Sequence, residues 1–171
     1  MEARKQDLLT SFGLLILRLG VGGYMATHGW GKVRMLIAGD FSGMGDPIGL
    51  GNALSLLLVT MAEFLCALLV MVGLATRLAA VPVVFAMGVA AFVAHGADPW
   101  SMEKAAKLFM SGAASSWASK EPALLFLVPF LALVFTGAGR LSVDGWLWPR
   151  WRERRSRLRT AGTLPPEPDQ G

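Results

Sequence analysis

Four stretches of the chain, 11–27, 53–74, 78–94 and 123–138, are dominated by apolar residues. Each approaches or exceeds the roughly 17 residues that a helix rising about 1.5 Å per residue needs to cross a ~30 Å hydrocarbon core. The pattern predicts an all-α fold. It is a four-transmembrane-helix bundle with spans of about 11–29, 52–74, 77–97 and 121–138, inside a domain of residues 1–148. Two ionisable residues interrupt the apolar runs, Arg18 in the first and Glu63 in the second. Pro82 and Pro129 fall inside the third and fourth, where a missing N–H predicts kinks.

The polar segments between the runs set the topology. Arg4, Lys5, Arg77 and the region from Arg140 onward share one side, whereas Lys32, Arg34, Lys104, Lys107 and Lys120 lie on the other. The positive-inside rule then puts both termini in the cytoplasm. The first outward loop is glycine-rich and contains Asp46-Pro47, which signals irregular backbone. In the second, Trp100, Met102, Ala105, Ala106 and Phe109 recur at helical spacing with Glu103, Lys104 and Lys107 opposite them. That spacing predicts a short amphipathic interfacial helix in the second outward loop.

Small residues add packing expectations. Ala86, Ala90 and Ala94 form a stripe suited to the close approach of another helix, and Gly20, Gly22 and Gly23 suit a similar approach along the first span.

Composition supports the membrane reading. Of 171 residues, 54% are hydrophobic and 16% charged, and the mean hydropathy of +0.51 is too apolar for an ordinary soluble domain. The net charge of +4 does not indicate nucleic acid, because six of the sixteen basic residues cluster at Arg150, Arg152, Arg154, Arg155, Arg157 and Arg159. A basic cluster just past the last helix fits anionic lipid at the cytoplasmic face. Residues 149–171 therefore read as a basic juxtamembrane segment followed by a disordered tail. The first span lacks a small-x-small cleavage site and is expected to stay in the mature protein. Cys66 is the single cysteine, so no internal disulfide or thiolate cluster can form.

Estimated depth brings Arg18 and Glu63 together near the midplane, where a charge-assisted pair would lower the cost of burying either. His28 and Lys32 share a helix face, His95 ends the third span and Glu121 opens the fourth, so these four ring the outer end of the bundle. Such a ring can relay protons or hold an anionic or quinone-like head group. A metal site is not expected, since no HxxxH or HExxH spacing supplies two ligands from one helix.

Several stretches together resemble the DoxX family of small four-helix membrane proteins: "LRLGVGGYMATHGWGKV" (17–33), "MAEFLCALLVMVGLATRLAA" (61–80), "HGADPW" (95–100) and "KEPALLFLVPFLALVFTGAGRLSVD" (120–144). The resemblance points to Arg18, His28, Lys32, Glu63, His95 and Glu121 as ligand-binding or proton-relay residues, with residues 101–119 as an insertion. It implies a protein of the bacterial inner membrane in quinone-linked redox function with a partner. The rival expectation is a non-catalytic accessory subunit packed in a larger membrane complex. The expected partners are membrane lipids and another membrane protein, a redox complex or a second copy of the chain. The only cofactor implied is a quinone.

Overall fold

The computed structural model describes residues 2–43 and 45–147, and all regular structure among them is helical. The main helices among the described residues are α1 (Glu2–Ala38), α2 (Asn52–Val72), α3 (Thr76–Ala94), α4 (Met102–Met110) and α5 (Glu121–Thr136), and residues 143–147 are helical as well. By length and composition α2, α3 and the Lys5–Ala38 part of α1 can each cross a membrane; the 16-residue α5 is apolar but shorter. Exposed side chains agree with contact to hydrocarbon. Leu78 is 77% exposed, Phe135 73% and Leu125 66%, and so many exposed large apolar groups would leave a water-soluble surface prone to association. The basic cluster and tail expected at 149–171 lie outside the described residues.

Helix α1 exceeds the expected span at both ends. Its 37 residues rise about 55 Å, well beyond a ~30 Å core. Helices α1 and α2 run antiparallel, and glycines set their register. A Cβ on Gly22 would meet Ala67 O at 3.0 Å, and one on Gly29 would meet the backbone of Glu63 at 2.6 Å. Gly22 thus makes the expected close approach, Gly20 touches nothing within 4 Å, and the tightest contact falls at Gly29.

Helix α2 stops at Gly73 because a left-handed residue (φ 77°) allows two bonds that close the end: Gly73 N to Val70 O (3.1 Å) and Leu74 N to Leu69 O (2.9 Å). Asp144 then caps α3, its Oδ1 accepting from Ala75 N (2.8 Å) and its Oδ2 from Thr76 N (3.0 Å). The core joins Ala80, Val83 and Ala91 of α3 to Phe130 and Leu133 of α5, with Met25 of α1 and Val70 of α2. Pro82 lies beyond the first turn of α3 and Pro129 inside α5.

Candidate functional site

Helices α2 and α3 each depart from α-helical geometry once. Met61–Cys66 and Ala90–Ala94 form π-helical turns. A π turn takes in an extra residue, so the side chains beyond it rotate by about 100° from their regular α-helical positions. Immediately before Met61, the Thr60 hydroxyl donates to Leu56 O at 2.6 Å, a back-bond of the kind that bends helices. These turns carry Glu63, Ala90 and Ala94, with His95 immediately after, and all four line cavities.

The expected pairing of Arg18 with Glu63 is not the one formed. Glu63 Oε2 instead meets Lys32 Nζ at 2.5 Å, with the Glu63 side chain 7% exposed and that of Lys32 24%. Helical register explains the difference. Gly29 sits against Glu63 while Gly73, at the other end of α2, faces Arg18, so the two charges lie about 15 Å apart along the axis by the rise of the helix. Arg18 is fully buried, its Nη2 donates to Leu141 O at 2.6 Å, and Asp144 lies in its electrostatic reach.

Two cavities flank the Lys32–Glu63 pair. The larger, about 410 Å³, is lined mainly by apolar side chains of α2 and α3, including Leu58, Val59, Phe85 and Val89. Ala86, Ala90 and Ala94 line it too, so the stripe expected to seat a helix faces open space. The smaller, about 350 Å³, includes His28, Met102, Trp117 and Ser119. Lys32, Glu63, Ala90 and His95 belong to both.

The histidines are held with defined tautomers. His95 Nδ1 lies 2.8 Å from Asp98 Oδ2 and His28 Nδ1 lies 3.0 Å from Tyr24 O. A carboxylate or carbonyl can only accept, so Nδ1 donates in both rings and Nε2 is left for other chemistry. His28 also packs edge-on against Phe126 at 5.5 Å. Glu121 joins neither cavity lining. Its Oε2 accepts from Met102 N at 2.6 Å and ties the start of α5 to the start of α4. Of the six expected residues, the structure therefore gathers His28, Lys32, Glu63 and His95 at the cavities and places Arg18 and Glu121 elsewhere.

Residues 13–96 match the DoxX family. Those residues carry a DoxX domain. The match spans most of α1, all of α2 and α3, and the four gathered residues; α4 and α5 lie beyond it. No curated protein and no solved structure matches the chain.

Three further groups around the cavities were not singled out from the sequence. Asp98 orients His95. Lys120 donates to Gly96 O at 2.8 Å and lies 4.9 Å from the Trp100 ring, so it clamps the turn after α3. Ser119 is buried in the lining of the smaller cavity. The i, i+3 spacing of His95 and Asp98 was the one available signal. Lys120 and Ser119 depend on a chain reversal that hydropathy does not reveal.

Among loop groups, Asp46 accepts from Gly51 N (2.7 Å), Leu50 N (2.8 Å) and Ser55 Oγ (2.9 Å). The Gly51 amide and then the Ser55 hydroxyl hold its carboxyl below the ordinary carboxylate value. Asp46 thereby fixes the loop carrying Pro47 and Ile48, which close one side of the larger cavity.

Proposed function

We propose that this DoxX-domain protein is a multi-pass protein of the bacterial inner membrane, with both termini cytoplasmic and α5 as its fourth span. In this reading it binds a quinone head group at Lys32 and Glu63 and works with a redox partner. The observation that carries the proposal is the largely buried Lys32–Glu63 pair, with His95 in the same lining, in a mainly apolar cavity of about 410 Å³. Ionisable residues inside apolar spans mark functional sites because burial cost selects against idle ones. A ring bearing two carbonyl oxygens fits this end chemically: an ammonium keeps two donors after its bond to Glu63, and the carboxylate keeps acceptor sites for a hydroxyl.

Conversion between quinone and quinol moves two electrons and two protons, with the electrons exchanged by the partner. Lys32 holds an oxygen of the ring by donation. Glu63 accepts or returns a proton at its carboxylate, and His95, steadied by Asp98, exchanges a proton at Nε2. In this arrangement α4 lies at the interface, with Trp100 and Trp117 as anchors.

The deciding experiment measures quinone per chain in protein extracted gently from its native membrane. Near-stoichiometric quinone, lost in Glu63→Gln while the protein stays monodisperse, supports the head-group site. No quinone, with other membrane subunits retained at fixed stoichiometry, overturns it in favour of an accessory subunit.

A further inference from the structure

The two cavities share one wall and differ everywhere else. Beyond Lys32, Glu63, Ala90 and His95, the larger is lined by Leu58 and Phe85, which are also 48% and 64% exposed on the outer surface. A side chain that both lines a cavity and faces outward marks its mouth. These two lie on α2 and α3, inside helices apolar enough to cross a membrane, so the mouth between them faces hydrocarbon, while Ile48 of the loop before α2, 41% exposed, borders its outer end. The mouth of the smaller cavity is marked by Trp117 (58% exposed) and Met102 (44%), which belong to the cap after α3 and lie outside those helices.

Ser119 gives an independent sign of what the smaller cavity holds. Its residue is 5% exposed and its Oγ is buried with no hydrogen-bond partner among the described residues. Leaving a buried hydroxyl unpaired costs about 1–3 kcal/mol. A volume of about 350 Å³ has room for several waters at roughly 30 Å³ each. The polar groups around it, His28 and Lys32 from α1, Glu63 from α2 and His95 with Asp98 behind it, offer the two to four partners that an ordered water needs.

We propose that the Lys32–Glu63 pair is a partition reached from two sides. From the membrane, an amphiphile with a hydrocarbon chain enters the larger cavity between α2 and α3. From the aqueous phase, water fills the smaller chamber and exchanges protons with Glu63. In the exchange a hydronium O–H bond breaks and an O–H bond forms at the Glu63 carboxylate, leaving neutral acid beside the Lys32 ammonium; the reverse step returns the proton to water. The head-group reading supplies the identity of the amphiphile, whereas the two routes of access stand on the cavities alone.

Cys66 is the only native thiol, so a Cys66→Ser background makes single-cysteine accessibility a direct test. Ser119→Cys and Ala86→Cys are made in the full chain, in native membrane vesicles, and exposed to a charged thiosulfonate or to a lipid-soluble maleimide. The charged reagent needs a hydrated thiolate and should modify Ser119→Cys at least about tenfold faster than Ala86→Cys. The maleimide should reach Ala86→Cys. Ala118→Cys, also in the smaller lining, replaces Ser119→Cys if that variant fails to fold. Equal rates at the two positions, or protection of both 118 and 119 from the charged reagent in folded protein, overturn the partition. Quinone per chain, measured on protein extracted gently from the same vesicles, separates the ideas: asymmetric labelling without bound quinone keeps the partition and removes the quinone reading, and bound quinone without labelling at 118 or 119 does the reverse.

Discussion

Arg18 and the Lys32–Glu63 pair both place charge inside apolar helices, yet the fold surrounds them in opposite ways. Lys32 and Glu63 satisfy each other at 2.5 Å and border two cavities. Arg18 borders neither. It is fully buried, its Nη2 is bonded to Leu141 O, and its Nε and Nη1 have no hydrogen-bond partner among the described residues. Asp144, its nearest opposite charge, spends both carboxylate oxygens on the first amides of α3. A charge pair with open space beside it is arranged to meet something else. A guanidinium wedged among a helix end, a carbonyl and a glycine fastens the 137–147 segment to the bundle.

The comparison is sharpest when each cation is replaced by methionine, which keeps bulk and removes charge. Lys32→Met leaves the Glu63 carboxylate buried without a counter-charge, and breaking a buried pair in this way costs about 3–5 kcal/mol. The double variant Lys32→Met/Glu63→Gln should recover most of that loss. Denaturation midpoints in one detergent, for the two singles and the double, check this through their coupling. A double variant no more stable than Lys32→Met would show that the pair does not hold the helices together.

Gly73→Ala tests the other end at a somewhat smaller scale. Gly73 has φ 77°, and a Cβ there would collide with Arg18 Nη1 and come within 2.6 Å of Ser142 Cβ. The left-handed backbone adds about 1–2 kcal/mol for a residue with a Cβ, and overpacking adds about 1–3. Thermal unfolding should fall clearly while quinone per folded chain is unchanged. A loss of quinone at full stability would place Arg18 in the functional site after all.

Much of this was legible in the sequence. The apolar runs marked α1, α2, α3 and α5, and the burial cost of Glu63 singled out a residue that lines both cavities. Register was not legible, because hydropathy fixes neither the rotation of a helix nor its offset against a neighbour. Measuring depth from the start of the apolar run put Arg18 level with Glu63; the contact of Gly29 with the Glu63 backbone puts Lys32 there instead. The π turns were equally hidden, and so was the direction of the Ala86, Ala90 and Ala94 stripe, which lines a cavity.

Arg18→Met should have a far smaller effect than Lys32→Met. The substitution removes one bond to Leu141 O but also removes two buried N–H groups that have no partner among the described residues. Removing this charge also removes its own desolvation cost, which offsets the single lost bond, so the expected change is within about 1 kcal/mol. A loss as large as that of Lys32→Met would mean that Asp144 and Arg18 form a pair of equal weight, and the contrast between the two ends would collapse.

Asp46 gives the smallest effect and extends the comparison to a fully solvated carboxylate. Its amide and hydroxyl donors favour the ionised form, so its folded value lies below the ordinary one. The sign follows: its contribution to loop order is complete above the unfolded value and is lost as pH falls through the lower folded value, a window below about pH 4. At neutral pH, Asp46→Ala removes the acceptor for Gly51 N, Leu50 N and Ser55 Oγ at once. Hydrogen exchange at the Leu50 and Gly51 amides should then quicken, while the melting temperature barely moves because no buried pair is disturbed. Pro47 and Ile48 close one side of the larger cavity, so bound amphiphile should dissociate faster without losing its polar contacts. Unchanged exchange at both amides would mean that the loop is held by its glycine turns, and the carboxylate that matters to the cavity would be Glu63 alone.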